Sequence, residues 1–429
     1  MWNIQIWKSI FQAKQQGVKI MRKYKTRKLA TITALMLAAF GIMTFTQSAA
    51  SGRNPIPGLT PQSKIGGVGA VYVMTNGVHG NAVVHFRRAA DGSLANAGTI
   101  STGGRGTGNL LENQGSLILS EGGEWLFAAN PGSDEITVFK VIEGDGLEFV
   151  QKISSGGDRP VSLTVSENLL YVLNTGSEGN ITGFNIGSDG SLSPIANSTR
   201  ALSLTQSEIC PPLVTDAGDP HALCSLTGAT TVGFNPNGDF VVVTERLPDR
   251  IDTFTVGDDG RLTLVQVFQT VQDSTPFGFA FAKRGRLVVA NAFLDEVGRG
   301  AASSYILSAT GNLAPTTATL GNGQAASCWV IITNNGRYAY TSNPVSDSLT
   351  SYTIQENGSI TLLRASAADL TGGDPRDPGM SDNGRYLYIL NNITAVVSSF
   401  RVEGDGSLTL LRFDAGHGFP AGANGLAAR

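Results

Sequence analysis

Residues 380–411 read MSDNGRYLYILNNITAVVSSFRVEGDGSLTLL, and this one stretch holds a whole structural unit. Asp382-Asn383-Gly384 is a turn that leads into the apolar run Tyr386–Leu390, which ends at Asn391. A second run, Val396–Val402, carries the aromatic Phe400, and Asp405-Gly406 turns the chain into a further run from Ser407. Short runs rich in β-branched and aromatic residues, separated by Asn/Asp-Gly pairs, specify antiparallel strands joined by hairpins.

The unit recurs. The residue ending the second strand aligns as Asn76, Asn130, Asn174, Glu245, Asn291, Asn343 and Asn391, and the third-strand aromatic as Phe86, Phe139, Phe184, Phe254, Tyr305, Tyr352 and Phe400. The two markers lie 9 or 10 residues apart in six copies and 14 in the fifth. Asp91-Gly92, Asp145-Gly146, Asp189-Gly190, Asp259-Gly260, Asn357-Gly358 and Asp405-Gly406 occupy the turn between strands three and four, with Gly311-Asn312 in the fifth copy. Copies of four short strands at a period of ~45–55 residues define an all-β, seven-bladed β-propeller of four-stranded antiparallel blades. The first copy starts at its second strand (Ala70–Met74), and the tail from Phe419 to Ala428 has the length to supply the missing one. The ring is therefore expected to close with N- and C-terminal strands in one blade, leaving no open sheet edge. One domain over about residues 66–429 follows.

The N-terminus reads differently. Met21–Lys28 is basic, Leu29–Phe45 is apolar or weakly polar, and Ser48-Ala49-Ala50 offers small residues for cleavage. That order is a secretory signal peptide over 21–50, with an over-extended start at 1–20 and a linker at 51–65; an uncleaved anchor is the other reading. Cleavage removes eight basic residues and no acidic ones, so 23 Lys and Arg remain against 34 Asp and Glu, a net charge of −11. Such a surface excludes a nucleic-acid partner, which needs basic residues to neutralise phosphates. Export to the periplasm or medium, no membrane attachment after cleavage and a monomer are expected. An oxidising compartment permits a disulfide between Cys210 and Cys224, worth about 3 kcal/mol by loop entropy. Cys328, within Cys328-Trp329-Val330-Ile331-Ile332, reads as a buried thiol.

In such a blade the strand 1–2 and 3–4 turns share one face, and the strand 2–3 loops and blade links share the other. The link face carries the variable charge: Arg105, Arg159, Glu245, Arg246, Asp249, Arg250, Asp374, Arg376 and His417. Glu245 stands out because six copies place Asn there. A carboxylate at the channel mouth serves as general base, with Arg246 beside it as the second catalytic candidate; equally, Glu245 reads as an ion pair with Arg246 or Arg250. Arg105, Arg159, Asp249, Arg250, Asp374, Arg376 and His417 are candidate ligand-binding residues, guanidinium forks being suited to carboxylates and phosphates; Asp–Arg pairs pinning adjacent blades are the alternative for Arg159 and Arg376. His79, His85 and His221 show no convergent metal set, and no cofactor motif occurs.

The 380–411 unit and its counterpart NPNGDFVVVTERLPDRIDTFTVGDDGRLTLV (235–265) resemble the seven-bladed β-propeller lactonase family, the 6-phosphogluconolactonase type with its carboxymuconate cyclase relatives. The resemblance implies hydrolysis of a small sugar-type lactone at the channel mouth without cofactor or metal. Where that family shows Cys-His-Ser and Gly-Pro-Arg-His, this chain has Gly228-Ala229-Thr230-Thr231 and Thr275-Pro276-Phe277-Gly278. No catalytic residue carries over from those two motifs. Two readings stay open: a lactone hydrolase, or a non-catalytic propeller binding a small molecule, glycan or protein partner on its link face.

Overall fold

The computed structural model describes residues 69–429 apart from 177–178, 204–227, 418 and 421. The signal peptide, the 1–20 and 51–65 segments, His221 and the Cys210–Cys224 pair lie outside the described residues. Seven antiparallel sheets form a ring. The second strand of each blade is buried along all or all but one of its residues, as Trp125–Asn130, Phe240–Glu245 and Tyr386–Asn391 illustrate. That pattern follows from stacking. Each blade covers its neighbour, so the second strands need apolar residues on both faces rather than on alternate positions. Trp125 and Phe127 of blade 2, for example, pack with Leu163, Val172 and Phe184 of blade 3.

Closure occurs as the sequence implies. Leu426–Ala428 pairs antiparallel with the strand Gly69–Met74 and becomes the innermost strand of blade 1. Arg429 N–H donates to Ala70 O (2.9 Å), and the buried Arg88 donates through Nε to Arg429 O (2.9 Å). Gly379 of blade 7 faces this strand so closely that a Cβ would run into Leu426.

Tyrosines fasten adjacent blades at the opposite face. Tyr72, Tyr171, Tyr340 and Tyr388, each on a second strand, donate through their hydroxyls to the strand 3–4 turn of the next blade, at Asp145 O, Gly260 O, Gly406 O and Gly92 O (2.8–2.9 Å). Gly92, Gly190, Gly260, Gly311, Gly358 and Gly406 hold positive φ in these turns, as Asp-Gly and Asn-Gly hairpins require. Blade 2 departs: its positive φ values fall on Gly144 and Asp145, one position earlier than the Asp145-Gly146 pair suggests, because a 3₁₀ turn at Glu143–Asp145 intervenes. His85, a candidate for exposure, is instead 6% exposed and stacked on Tyr72 at 5.2 Å.

Replacing Tyr388 by Phe leaves the buried Gly92 carbonyl without its donor while keeping the ring in place. A loss of about 1–2 kcal/mol in unfolding free energy is expected from denaturant titration, and an unchanged value would remove the tyrosine fastening from the account.

Candidate functional site

The innermost strands run from the link face to the turn face, so their first residues surround one mouth of the channel. One segment crosses that channel. Asn113 donates through Nδ2 to Val161 O of blade 3, accepts Trp329 Nε1–H of blade 6 on its carbonyl (2.7 Å) and accepts Asn424 Nδ2–H on Oδ1 (3.2 Å). Gln114 donates to Phe279 O of blade 5 (2.8 Å) and accepts Val330 N–H of blade 6 (2.9 Å). Two consecutive amide side chains thus tie five blades across the axis. Gly278 leaves the space they need, since a Cβ there would meet Gln114 Oε1.

Above this plug lies a ladder of cations and aromatic rings. Arg246 Cζ sits 4.9 Å from the Phe277 ring centroid, Phe277 and Trp329 are 4.9 Å apart, and Arg376 Cζ lies 5.3 Å from the Trp329 ring. Guanidinium over an aromatic face is a favourable desolvated contact. The two arginines at its ends differ in one respect. Arg376 is saturated by ion pairs, Nη1 to Glu112 (3.1 Å) and Nε to Asp374 (3.0 Å). Burial works against its charge, and Glu112 and then Asp374 outweigh that and hold it firmly protonated. Arg246 is equally enclosed, its side chain 7% exposed, yet among the described residues Nε and Nη1 have no hydrogen-bond partner and its ion-pair carboxylate, Asp295, stands at 4.0 Å. Cys328 is buried beneath the aromatic pair, and burial pushes its thiol up.

The remaining sequence-named residues separate. Glu245 ends its strand next to Arg246 but turns the other way, into the crevice between blades 3 and 4, where it is fully buried. Ser203 donates to it through N–H (3.2 Å) and Oγ–H (2.9 Å), and Arg250 Nη1 reaches Ser203 Oγ at 3.4 Å. Burial, then the neighbouring Asp252, push the Glu245 carboxyl up to about 7. Asp249 accepts the backbone N–H groups of Asp273 and Thr275 (2.7 Å each). Asp134 and Asp347, at the same loop position and also with positive φ, do likewise for Arg159 N–H and for Gly372 and Asp374 N–H. Asp249 thereby belongs to a set that grips the incoming blade link. Arg159 is buried at 2% exposure in such a link. Arg105 is exposed on the rim with its backbone bonded to Ser133 and Gly132. His417 ends the outermost strand of blade 7, exposed, 3.6 Å from Asp414.

Glu112, Asn113, Gln114, Phe277 and Trp329 were not singled out from the sequence. They sit in blade links and first strands, where no repeat marker points inward. Among the described residues no three His, Cys, Asp or Glu side chains converge as a metal-binding set, and no helix is long and apolar enough to cross a membrane.

The ring is a closed seven-bladed β-propeller with two buried arginines and an aromatic pair at its link-face mouth. The family model "Lactonase, 7-bladed beta-propeller" matches residues 71–206, 203–326 and 307–421. The chain belongs to the seven-bladed β-propeller lactonase family. Among solved structures it is similar to a 6-phosphogluconolactonase candidate from Bacteroides uniformis, with 17% identity over 84% of this chain and 99% of that one and a TM-score of 0.65. It is also similar to a periplasmic gluconolactonase from Pseudomonas aeruginosa, with 15% identity over 84% and 98% and a TM-score of 0.64. At these identities the likeness concerns the fold. No curated protein matches the chain.

Asp377, beside Arg376 and bonded by Gly425 N–H (3.1 Å), is pushed up to about 7, chiefly by burial. Its unfolded carboxyl ionises in the ordinary range near 4, so its contribution is complete below that range and is lost as pH rises through about 7. Urea unfolding of wild type at about pH 5 and 8 should show a fall to which this group gives on the order of 1–3 kcal/mol. Asp377→Asn should flatten it; an identical fall in the variant would contradict the assignment.

Proposed function

We propose that the link-face mouth binds a small anionic or strongly polar ring compound and hydrolyses a sugar-type lactone. The observation that carries this reading is Arg246. A guanidinium held out of water with two N–H groups unbonded is costly unless an anion completes it, and its planar fork suits a carboxylate or the oxyanion of an opening lactone. The Phe277–Trp329 pair gives such a ring an apolar floor. In this mechanism water attacks the lactone carbonyl and Arg246 stabilises the oxyanion, while the proton of the water reaches the buried Glu245 through the Ser203 hydroxyl that donates to it (2.9 Å). The ring C–O bond then breaks, and the leaving alkoxide takes the proton back from Glu245. The family, and a relative described as a gluconolactonase, support lactones as the substrate class. Binding without turnover is the second reading, favoured by the complete burial of Glu245.

Purified protein assayed on a panel of aldonolactones separates the two. For the hydrolase, Glu245→Gln is expected to lower kcat at least about 100-fold, and Arg246→Met to raise KM about tenfold or more. Turnover no faster than buffer on every lactone, with gluconate binding lost in Arg246→Met, would establish the binding reading instead.

Export is part of the same proposal, supported by the basic Met21–Lys28 and apolar Leu29–Phe45 order. N-terminal sequencing of protein recovered from a bacterial host should begin at Ser51; retention of residues 21–45 would contradict cleavage.

A further inference from the structure

Four of the six second-strand Asn residues share one kind of partner. Seven residues later the third strand carries a hydroxyl, and the Asn side chain donates to it: Asn130 to Thr137 (2.8 Å), Asn343 to Thr350 (3.0 Å) and Asn391 to Ser398 (2.9 Å). Asn291 makes the same bond to Ser303 (2.9 Å) across the longer loop of blade 5. These pairs are neutral. In blade 4 the two positions hold Glu245 and Asp252, both fully buried. Donor and acceptor have been replaced by two acids.

The crevice gives these acids little help. Ser203 N–H lies 3.2 Å from Glu245 Oε1 and 3.1 Å from Asp252 Oδ2, so a single donor is divided between the two carboxyl groups. Ser203 Oγ goes to Glu245, and Asp252 Oδ1 has no hydrogen-bond partner. Arg250 on the same blade is the cation that acts on both, through space rather than by a direct ion pair. The third-blade residues packed on Val243 beside them, Val161, Leu173 and Leu202, are apolar. Two buried carboxylates sharing one donor beside an apolar wall do not both ionise.

We propose that Glu245 and Asp252 carry one negative charge between them near neutrality, and that Asp252 is the positioning residue that raises the proton affinity of Glu245, so that Glu245 can take up and return a proton. Asp252 touches no reacting atom in this scheme. It sets the proton affinity of the group that takes up the proton, which rests on the reading of Glu245 as the proton-transfer residue. Burial pushes Asp252 up to about 6, alongside Glu245 at about 7. The pair therefore titrates across the range where a general acid–base group is most effective.

The test is infrared difference spectroscopy of the protein during pH titration, following the protonated-carboxyl C=O band that Glu245→Gln removes. In wild type this band is expected to persist to near neutrality. In Asp252→Ser, which installs the hydroxyl that other blades use, its midpoint should fall by at least about one pH unit. A midpoint unchanged in Asp252→Ser overturns the proposal. The double variant Glu245→Asn, Asp252→Thr rebuilds the neutral pair and should unfold at higher denaturant than wild type at about pH 8; equal or lower stability there would also count against a buried charge. If lactone is turned over, the acidic limb of the kcat profile should shift with the band. If none is, the spectroscopic result still decides the shared charge, separately from the hydrolase reading.

Discussion

Three strands from one end of the chain and three residues from the other hold the ring together. Leu426–Ala428 has no blade of its own, and only by pairing with Gly69–Met74 does blade 1 gain an inner strand and the ring lose its free edge. Because every blade is apolar on both faces, none can satisfy its surface without a neighbour on each side. Closure therefore fixes the position of all seven inner strands at once. Residues far apart in sequence, such as Asn113, Phe277, Trp329 and Asn424, meet at the axis for that reason and no other.

The two faces divide the work. At the turn face, tyrosine hydroxyls and tight Asp-Gly turns repeat from blade to blade and serve stability. At the link face the same scaffold supports unlike residues. There the decisive contrast is between two buried arginines one aromatic pair apart. Arg376 has two carboxylates at 3.0–3.1 Å and holds Glu112 and Asp374 in place; Arg246 has a ring beneath it and one carboxylate, Asp295, at the longer distance of 4.0 Å. Arg376 uses its charge within the protein itself, and the proposed role of Arg246 rests on its having used less of it there.

Much of the architecture was legible in the sequence because repeat geometry writes itself at fixed spacing. All seven third-strand aromatics and the closing strand fall where the alignment puts them, since turns and apolar runs are local signals. The site was legible only in part. Glu245 was conspicuous as the one exception beside six Asn residues, yet the alignment could not tell which side of the blade it faces; Val243, two residues earlier on the same strand, settles that by packing with Val161 and Leu173 of blade 3. Asp252 could have been found by extending the same alignment seven residues, to Thr137, Thr350 and Ser398. Asn113 and Gln114 could not, because their partners lie in four other blades and no local pattern announces a chain crossing the axis.

The central claim is the proposal that Arg246 binds an anion at the mouth. Anomalous diffraction from crystals soaked in bromide tests it with no assumption about substrate or turnover. The account predicts a bromide peak against Nε and Nη1 of Arg246, and none against the saturated Arg376. A structure in which both Arg246 nitrogens are bonded within the protein, with no peak at the mouth, would contradict it.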